Sequence, residues 1–256
     1  MEDSERVSDP DLPRAVRLAW GMEKPGARGP RRGLSLERIV DAAVEVAEEE
    51  GVGALSMARV AKRLGFTTMS LYRYVASKDE LIDLISDRVI GPPPVIPDGS
   101  SWRTGLRHWA RAEYEQLMRH RWWLQLAVGS SPPTGPNNIA WLDAGLGTLA
   151  HTPLSPARRF QVVLNTSLYV IGRARFAADL VTSAGTDAGV APDAAGYDYA
   201  AVIGRLVAGG GFPHLAATLA DGAFDAEPGV EWSDADFLFA LDVFLDGVEK
   251  LVERSS

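Results

Sequence analysis

The stretch LSMARVAKRLGFTTMSLYRYVASKDELIDLI, residues 55–85, decides the fold. It contains two short helical patterns that are separated by the turn Leu64-Gly65-Phe66-Thr67, and a further pattern starts after Ser77. Ser56 is a suitable N-cap for the first pattern, because a serine oxygen accepts a hydrogen bond from the open first turn of a helix. Glycine tolerates the left-handed backbone of a tight corner, so Gly65 predicts a sharp turn between two helices. The stretch therefore predicts a helix-turn-helix motif.

The helix that follows this turn carries an inner and an outer set of residues. Leu71 and Val75 lie four positions apart and are expected to anchor the helix in a core. Most of the outer side chains are polar, hydrogen-bonding or cationic groups, which suit contacts with base edges and phosphates in a major groove. We expect the DNA-facing set to comprise Thr67, Thr68, Met69, Ser70, Arg73, Tyr74 and, one turn later, Lys78. The alternative is that Arg73 and Lys78 are solvated surface charges and that Tyr72 or Tyr74 is a core aromatic.

Working outward, the rest of the chain is also helical in pattern. Residues 1–32 are interrupted by prolines and are predicted to form a flexible N-terminal arm, and residues 33–90 are predicted to form the DNA-binding domain. Pro92-Pro93-Pro94 begins a linker to about Ser100, and residues 101–256 form a second helical domain. No strand-like alternation is sustained, so the predicted fold class is all-α.

Composition restricts the function further. The net charge of −8 argues against general nucleic-acid affinity, so any DNA contact must come from a local face. The absence of cysteine leaves no disulfide or thiolate metal site. No run of 18 apolar residues and no signal-peptide pattern occurs, so we expect a cytoplasmic protein without a membrane span. The four histidines form no metal-binding pair and no nucleotide or hydrolase motif is present. A helical enzyme is therefore a weaker alternative, and neither metal nor cofactor is expected.

Residues 55–85, together with LERIVDAAVEVAEEEGVGAL at 36–55, resemble the DNA-binding signature of the tetracycline-repressor (TetR) family. The resemblance covers residues 33–90 and implies a dimeric transcriptional regulator, usually a repressor that a small ligand releases from a palindromic operator. It implies phosphate contacts for Ser56, Tyr72 and Lys78, and backbone contacts for Arg31 and Arg32 of the arm. Ala58 departs from the family pattern, because the tetracycline repressor reads a base with an arginine there.

The resemblance also implies an interface in the second domain. Two long helices, Pro156–Val181 and Ser233–Arg254, are predicted to form a four-helix dimer interface with their counterparts in a second subunit. The terminal helix has a wider apolar face than a solvent-covered helix requires. The alternative is that both helices are buried within the monomer.

The tryptophans of the second half suggest a ligand pocket, because pockets are mostly apolar with a few polar anchors. The effector is expected to be small and apolar or aromatic. The expected ligand-binding residues are Trp102, His108, Trp109, Trp122, Trp123, Trp141, Asn165, Tyr169 and Arg173. The alternatives are an aromatic-rich core without a pocket and a regulator that responds to a protein partner instead of a small ligand.

Overall fold

The computed structural model describes residues 12–23, 33–126, 133–184, 199–222 and 234–255. In these ranges the chain is helical and contains no strand, which confirms the all-α prediction. The α-helices are α1 Arg14–Ala19, α2 Leu36–Glu50, α3 Met57–Leu64, α4 Thr68–Leu71, α5 Lys78–Ile90, α6 Trp102–Arg119, α7 Pro136–Thr148, α8 Pro156–Ala184, α9 Tyr199–Val207, α10 Pro213–Ala220 and α11 Asp234–Ser255. Short 3-10 helices span Val52–Ala54 and Arg121–Gln125. None of the described helices is both long and apolar enough to cross a membrane.

The chain forms two compact units. One comprises Met1–Ala174 with Leu245–Ser256, and the other comprises Arg175–Phe244. The first unit contains α1 to α7 and the first part of α8. The second contains α9 and α10.

Local signals set the helix boundaries of the helix-turn-helix. Ser56 Oγ accepts a hydrogen bond from the backbone N–H of Arg59 at 3.2 Å, and Ser77 Oγ accepts one from Glu80 at 3.0 Å. Gly65 ends α3 in the left-handed conformation, with φ 74° and ψ 27°. The turn therefore has the geometry that the sequence predicts.

Helices α2 to α5 enclose one apolar core. Its fully buried members include Ile39, Val60, Leu71, Val75 and Ile85. Leu71 and Val75 anchor α4 and the segment after it, as their spacing predicts. Burial of each such side chain contributes about 1.5–3 kcal/mol to folding, so the short α4 is held by packing rather than by its own helical stability.

Residues before α2 also pack against the helices of this core. Leu18 of α1 is buried in the same core. The Arg14 guanidinium donates to the Glu80 carboxylate on α5 and to the backbone oxygen of Tyr74. Residues 12–23 fall within the segment that the prolines predicted to be a flexible arm, but one buried leucine and one bridging arginine attach this part to α5.

The 3-10 helix Arg121–Gln125 connects α6 to the apolar core of α2 to α5. Trp122 is buried as part of that core, and Trp123 Nε1 donates to Ser86 Oγ on α5 at 3.1 Å. His120, just before it, contacts the carboxylate of Glu48 on α2. The end of α6 is thus packed against both α2 and α5.

Candidate nucleic-acid interface and effector site

Helix α4 and its flanks form a contiguous outward surface. Met69 is 73% exposed and Tyr72 45% exposed, and Arg73, Lys78, Ser56 and Thr67 are also exposed. The half-buried Ser70 and the exposed Thr67 exchange a hydroxyl hydrogen bond at 2.9 Å. Thr68 is half-buried at the first position of the helix. Hydroxyls, a thioether and cations on and around one short, well-anchored helix suit contacts with base edges and phosphates.

Tyr74 does not belong to this surface. Its ring packs partly buried against the core, and its hydroxyl donates to the backbone oxygen of Leu34 at 3.1 Å. The core-aromatic alternative therefore describes Tyr74, whereas Tyr72 faces outward. Leu34, whose oxygen accepts this hydrogen bond, lies 40 residues before Tyr74, so the local helical period could not predict the contact. Arg31 and Arg32 lie outside the described residues.

The arginines of α3 are neutralised by glutamates of α2. Arg59 pairs with Glu50 at 2.7 Å. Arg63 donates to Glu49 at 2.7 Å and to Glu45 at 2.8 Å, and these hydrogen bonds raise the pKa of Arg63. The basic charge that the sequence places on α3 is therefore largely used to hold α3 against α2.

In the second half of the first unit, two tryptophans form a buried pair. Trp109 on α6 and Trp141 on α7 pack edge to face, with ring centroids 5.8 Å apart and an interplanar angle of 65°. Trp109 Nε1 donates to the backbone oxygen of Trp141, and Trp141 Nε1 donates to the backbone oxygen of Gly91, each at 2.9 Å. Gly91 ends α5. The pair thus joins three helices and has no unsatisfied N–H group.

The other residues expected to line a ligand pocket are dispersed. Trp122 and Trp123 pack on the apolar core of α2 to α5 rather than on the Trp109–Trp141 pair, because the 3-10 helix turns them towards α2 and α5. His108 and Asn165 are exposed, and Asn165 Nδ2 donates to the backbone of its own helix. Trp102, Tyr169 and Arg173 are half-buried.

Glu113 was not assigned a role from the sequence, although it lies on the apolar face of α6 between Trp109 and Leu117. The side chain is buried, and its Oε1 accepts a hydrogen bond from Ser167 Oγ on α8 at 2.6 Å. Its Oε2 is buried and has no hydrogen-bond partner among the described residues. Burial raises the pKa of Glu113 to about 7, against a smaller opposing effect of the Ser167 hydrogen bond.

This raised pKa predicts a pH-dependent stability. The unfolded chain releases the Glu113 proton near pH 4.5, whereas the native protein retains it up to about pH 7. The native state therefore binds more protons in this window, and the free energy of unfolding falls as the pH rises through it. Glu113→Gln should not show this loss. On raising the pH from 4.5 to 7, its free energy of unfolding should therefore increase relative to that of the wild type by on the order of 3 kcal/mol. Urea unfolding at several pH values measures the difference. The exposed Glu115→Gln on the same helix serves as the control, and an equal pH profile for both variants would contradict the prediction.

Helix α7 is attached to α5 at its N-terminus. Asp87 of α5 is buried, and its Oδ1 accepts hydrogen bonds from the backbone N–H of Asn138 at 3.0 Å and from Asn138 Nδ2 at 2.8 Å. Asn137 Nδ2 donates to the Asp87 backbone oxygen at 2.9 Å. A carboxylate on one helix thus caps the open first turn of another, where the helix dipole favours negative charge.

Two family models match the chain. Residues 39–85 match the model described as bacterial regulatory proteins of the tetR family, and residues 94–252 match the tetracyclin repressor-like C-terminal domain. The chain is 39% identical over 168 residues to the transcriptional repressor DrrR1 of Streptomyces coeruleorubidus, covering 64% of this chain and 62% of that protein. The match spans less than two thirds of the length of DrrR1.

Further relatives agree with the fold. An HTH-type transcriptional regulator of Saccharopolyspora erythraea is 34% identical over 185 residues, covering 70% of this chain and 77% of that protein. The crystal structure of the TetR family protein ActR of Streptomyces coelicolor, in complex with actinorhodin, superposes with a TM-score of 0.69 at 21% identity, covering 88% and 100% of the two chains.

The exposed α4 surface on a helix-turn-helix, joined to an all-helical second region, defines the class of helix-turn-helix transcription regulators. Since the two family models together match most of the sequence, the chain belongs to the TetR family. It is accordingly a DNA-binding transcriptional regulator and not an enzyme.

Proposed function

We propose that the protein is a homodimeric repressor that binds a palindromic operator in the cytoplasm and is released by a small apolar or aromatic effector. Residues 33–90 would bind DNA, and residues 101–256 would bind the effector and the second subunit. The observation that carries the proposal is the exposed face of α4, which Leu71 holds in place from beneath. DrrR1 is named as a repressor, and ActR is a TetR fold with a small molecule bound.

The outer faces of α8 and α11 support dimerisation. Phe160, Leu164 and Leu168 recur at four-residue spacing on α8 and are 44–57% exposed. Helix α11 buries one apolar stripe that includes Leu241 and Leu245, and it exposes a second stripe formed by Phe239, Val243 and Leu251. Exposed apolar side chains in a continuous stripe are typical of a surface that a second subunit covers.

The first unit offers a route from effector to DNA. An effector beside Trp109 and Trp141 would act on α7, which Trp141 and the Asp87 cap hold to α5. Helix α5 begins at Lys78 and packs its apolar face into the DNA-binding core. An effector that binds more tightly when α5 is shifted would favour that arrangement and so change the separation of the two α4 helices in the dimer. An effector with equal affinity for both arrangements could not release the operator.

The operator experiment tests the DNA part of the proposal. Genomic fragments that bind the purified protein would be selected and sequenced, and the shared site would then be compared with a single half-site in a gel shift. We expect a palindrome with half-sites about one helical turn apart and much weaker binding to one half-site. A site without two-fold symmetry, or equal affinity for the half-site, would contradict the dimeric mode.

Substitutions on the α4 surface test its orientation. Arg73→Ala should cost about 1–3 kcal/mol of operator affinity and relax the preference at one base. Lys78→Ala should weaken binding to all sequences alike and reduce the salt slope by about one. Fluorescence anisotropy over a salt series measures both effects. Arg111→Ala removes an exposed arginine of α6 and should leave affinity unchanged, so an equal loss in all three variants would reject the assigned surface.

A further inference from the structure

Glu113 occupies an unusual place for an acid. It lies one turn beyond Trp109 on the inner face of α6, and its Oε2 is buried without a hydrogen-bond partner among the described residues. We propose that Glu113 is the anionic anchor of the effector site and selects effectors that carry a protonated amine on a flat aromatic body. This inference rests on the proposed effector response and specifies the effector's chemical class.

The charges around Glu113 support a cationic ligand. In the described part of the chain its one hydrogen-bonding partner is Ser167, and no charged side chain pairs with it. A buried carboxyl group with an unsatisfied oxygen is costly, and a buried carboxylate without a countercharge costs more. An ammonium group would supply both the missing hydrogen bond and the missing charge. A neutral donor would supply the hydrogen bond alone, and an anionic effector would be repelled.

The aromatic neighbours support a flat body. Trp109 and Trp141 already use their N–H groups on backbone oxygens. Both rings are buried, so a ligand that enters beside the pair would meet apolar ring faces, which also attract a cation through their π-electrons. A ligand with one cationic end and an aromatic body matches an acid and a tryptophan one helical turn apart.

Binding would also move a proton. When an ammonium group enters, the neutral carboxyl group of Glu113 becomes a carboxylate, and its proton passes to the solvent while the amine keeps its own. A fraction of one proton is then released for each effector bound near pH 7, and affinity for the cation rises with pH up to about pH 8. A neutral ligand should show neither effect.

Three probes that share one ring system test the proposal on the full chain without DNA. At pH 7.5, 9-aminoacridine is cationic, acridine is neutral and acridine-9-carboxylate is anionic. Tryptophan fluorescence and titration calorimetry in two buffers would give affinity and proton release. We expect the wild type to prefer the cation, and Glu113→Gln to lose about 10–100-fold affinity for it with little change for acridine. The control Glu115→Gln should behave as wild type.

Several results would overturn the anchor role. They are equal cation affinity in the wild type and Glu113→Gln, a preference for acridine, or no binding of any probe. If Glu113→Gln does not fold, the rise of cation affinity between pH 6 and pH 8 in the wild type decides instead, and its absence rejects the role. Operator binding and its release by each probe are measured on the same preparation. Release of the operator by acridine alone would sustain the proposed function while rejecting the anchor. If the protein does not bind the operator in the absence of any probe, the proposed function is rejected.

Discussion

Gly135→Ala is expected to lower the free energy of unfolding by about 3–5 kcal/mol, because it breaks the attachment of α7 to α5. Gly135 is the N-cap of α7, and a Cβ atom at this position would overlap the carboxyl group and Cβ of Asp87. Asp87 is buried and its side chain is short, so it cannot rotate into solvent to make room. The N-terminus of α7 would have to move away.

Such a movement has two costs. The hydrogen bonds from Asn138 to Asp87 would lengthen or break, and each bond to a charged group contributes about 1.5–3 kcal/mol. The carboxylate would then remain buried with fewer donors, which is the more expensive consequence.

Gly147→Ala provides the matched control. Gly147 lies on the same helix, but a Cβ atom there would meet nothing within 4 Å. Gly147 lies in the last turn of α7 without a positive φ, so alanine fits its backbone and this variant should be neutral or gain up to about 0.5–1 kcal/mol. Urea unfolding of both variants at one protein concentration measures the difference. A loss below about 1 kcal/mol for Gly135→Ala would show that α7 is not fixed to Asp87.

The sequence predicts the DNA-binding half well because its determinants are local. Ser56, Gly65 and Leu71 act within one turn of their own positions, through a cap, a backbone conformation and a helical period. The structure confirms the boundaries and the core that these residues predict. The family resemblance, which the family models bear out, rests on the same short stretch.

Contacts between distant residues were not predictable in the same way. Asp87 and Asn138 are 51 residues apart, and Glu113 and Ser167 are 54 residues apart. Nothing in the local pattern of α5 distinguishes Asp87 from a solvated acid. Trp122 illustrates the reverse case, since its residue type suggested a ligand pocket, whereas the 3-10 helix packs it on the DNA-binding core.

The sign of the charges on α3 was predictable from the sequence, but their ion-pair partners were not. The two arginines of α3 lie 9 to 18 positions after the glutamates of α2 that bind them. The sequence therefore shows a basic cluster, while the structure shows Arg59 and Arg63 in ion pairs. The consequence is that affinity for DNA should depend on a few cations around α4 and the start of α5, and less on those of α3.

Leu168→Glu is expected to convert the protein to a monomer and to reduce operator affinity by about 10²–10⁴-fold. Leu168 is 57% exposed and lies at the end of the apolar stripe that begins at Phe160 and Leu164. In a dimer interface a carboxylate at this position would lose its water without gaining a partner, which costs more than an interface of modest size can offset. The DNA effect follows because a monomer binds one half-site and loses the effective concentration that a linked second half-site provides.

Light scattering and a gel shift measure the two effects on the same sample. Ala150→Glu adds the same charge at an exposed turn position outside α8 and α11, and it should leave both mass and affinity unchanged. Helical content by circular dichroism should be the same in both variants, because Leu168 is exposed in the chain and its replacement disturbs no core packing. A dimeric Leu168→Glu with wild-type affinity would place the interface elsewhere. A monomeric variant that still binds the full operator tightly would mean that the operator is not bound by two linked copies of α4. Release of the operator through a changed separation of the two α4 helices would then be rejected as well.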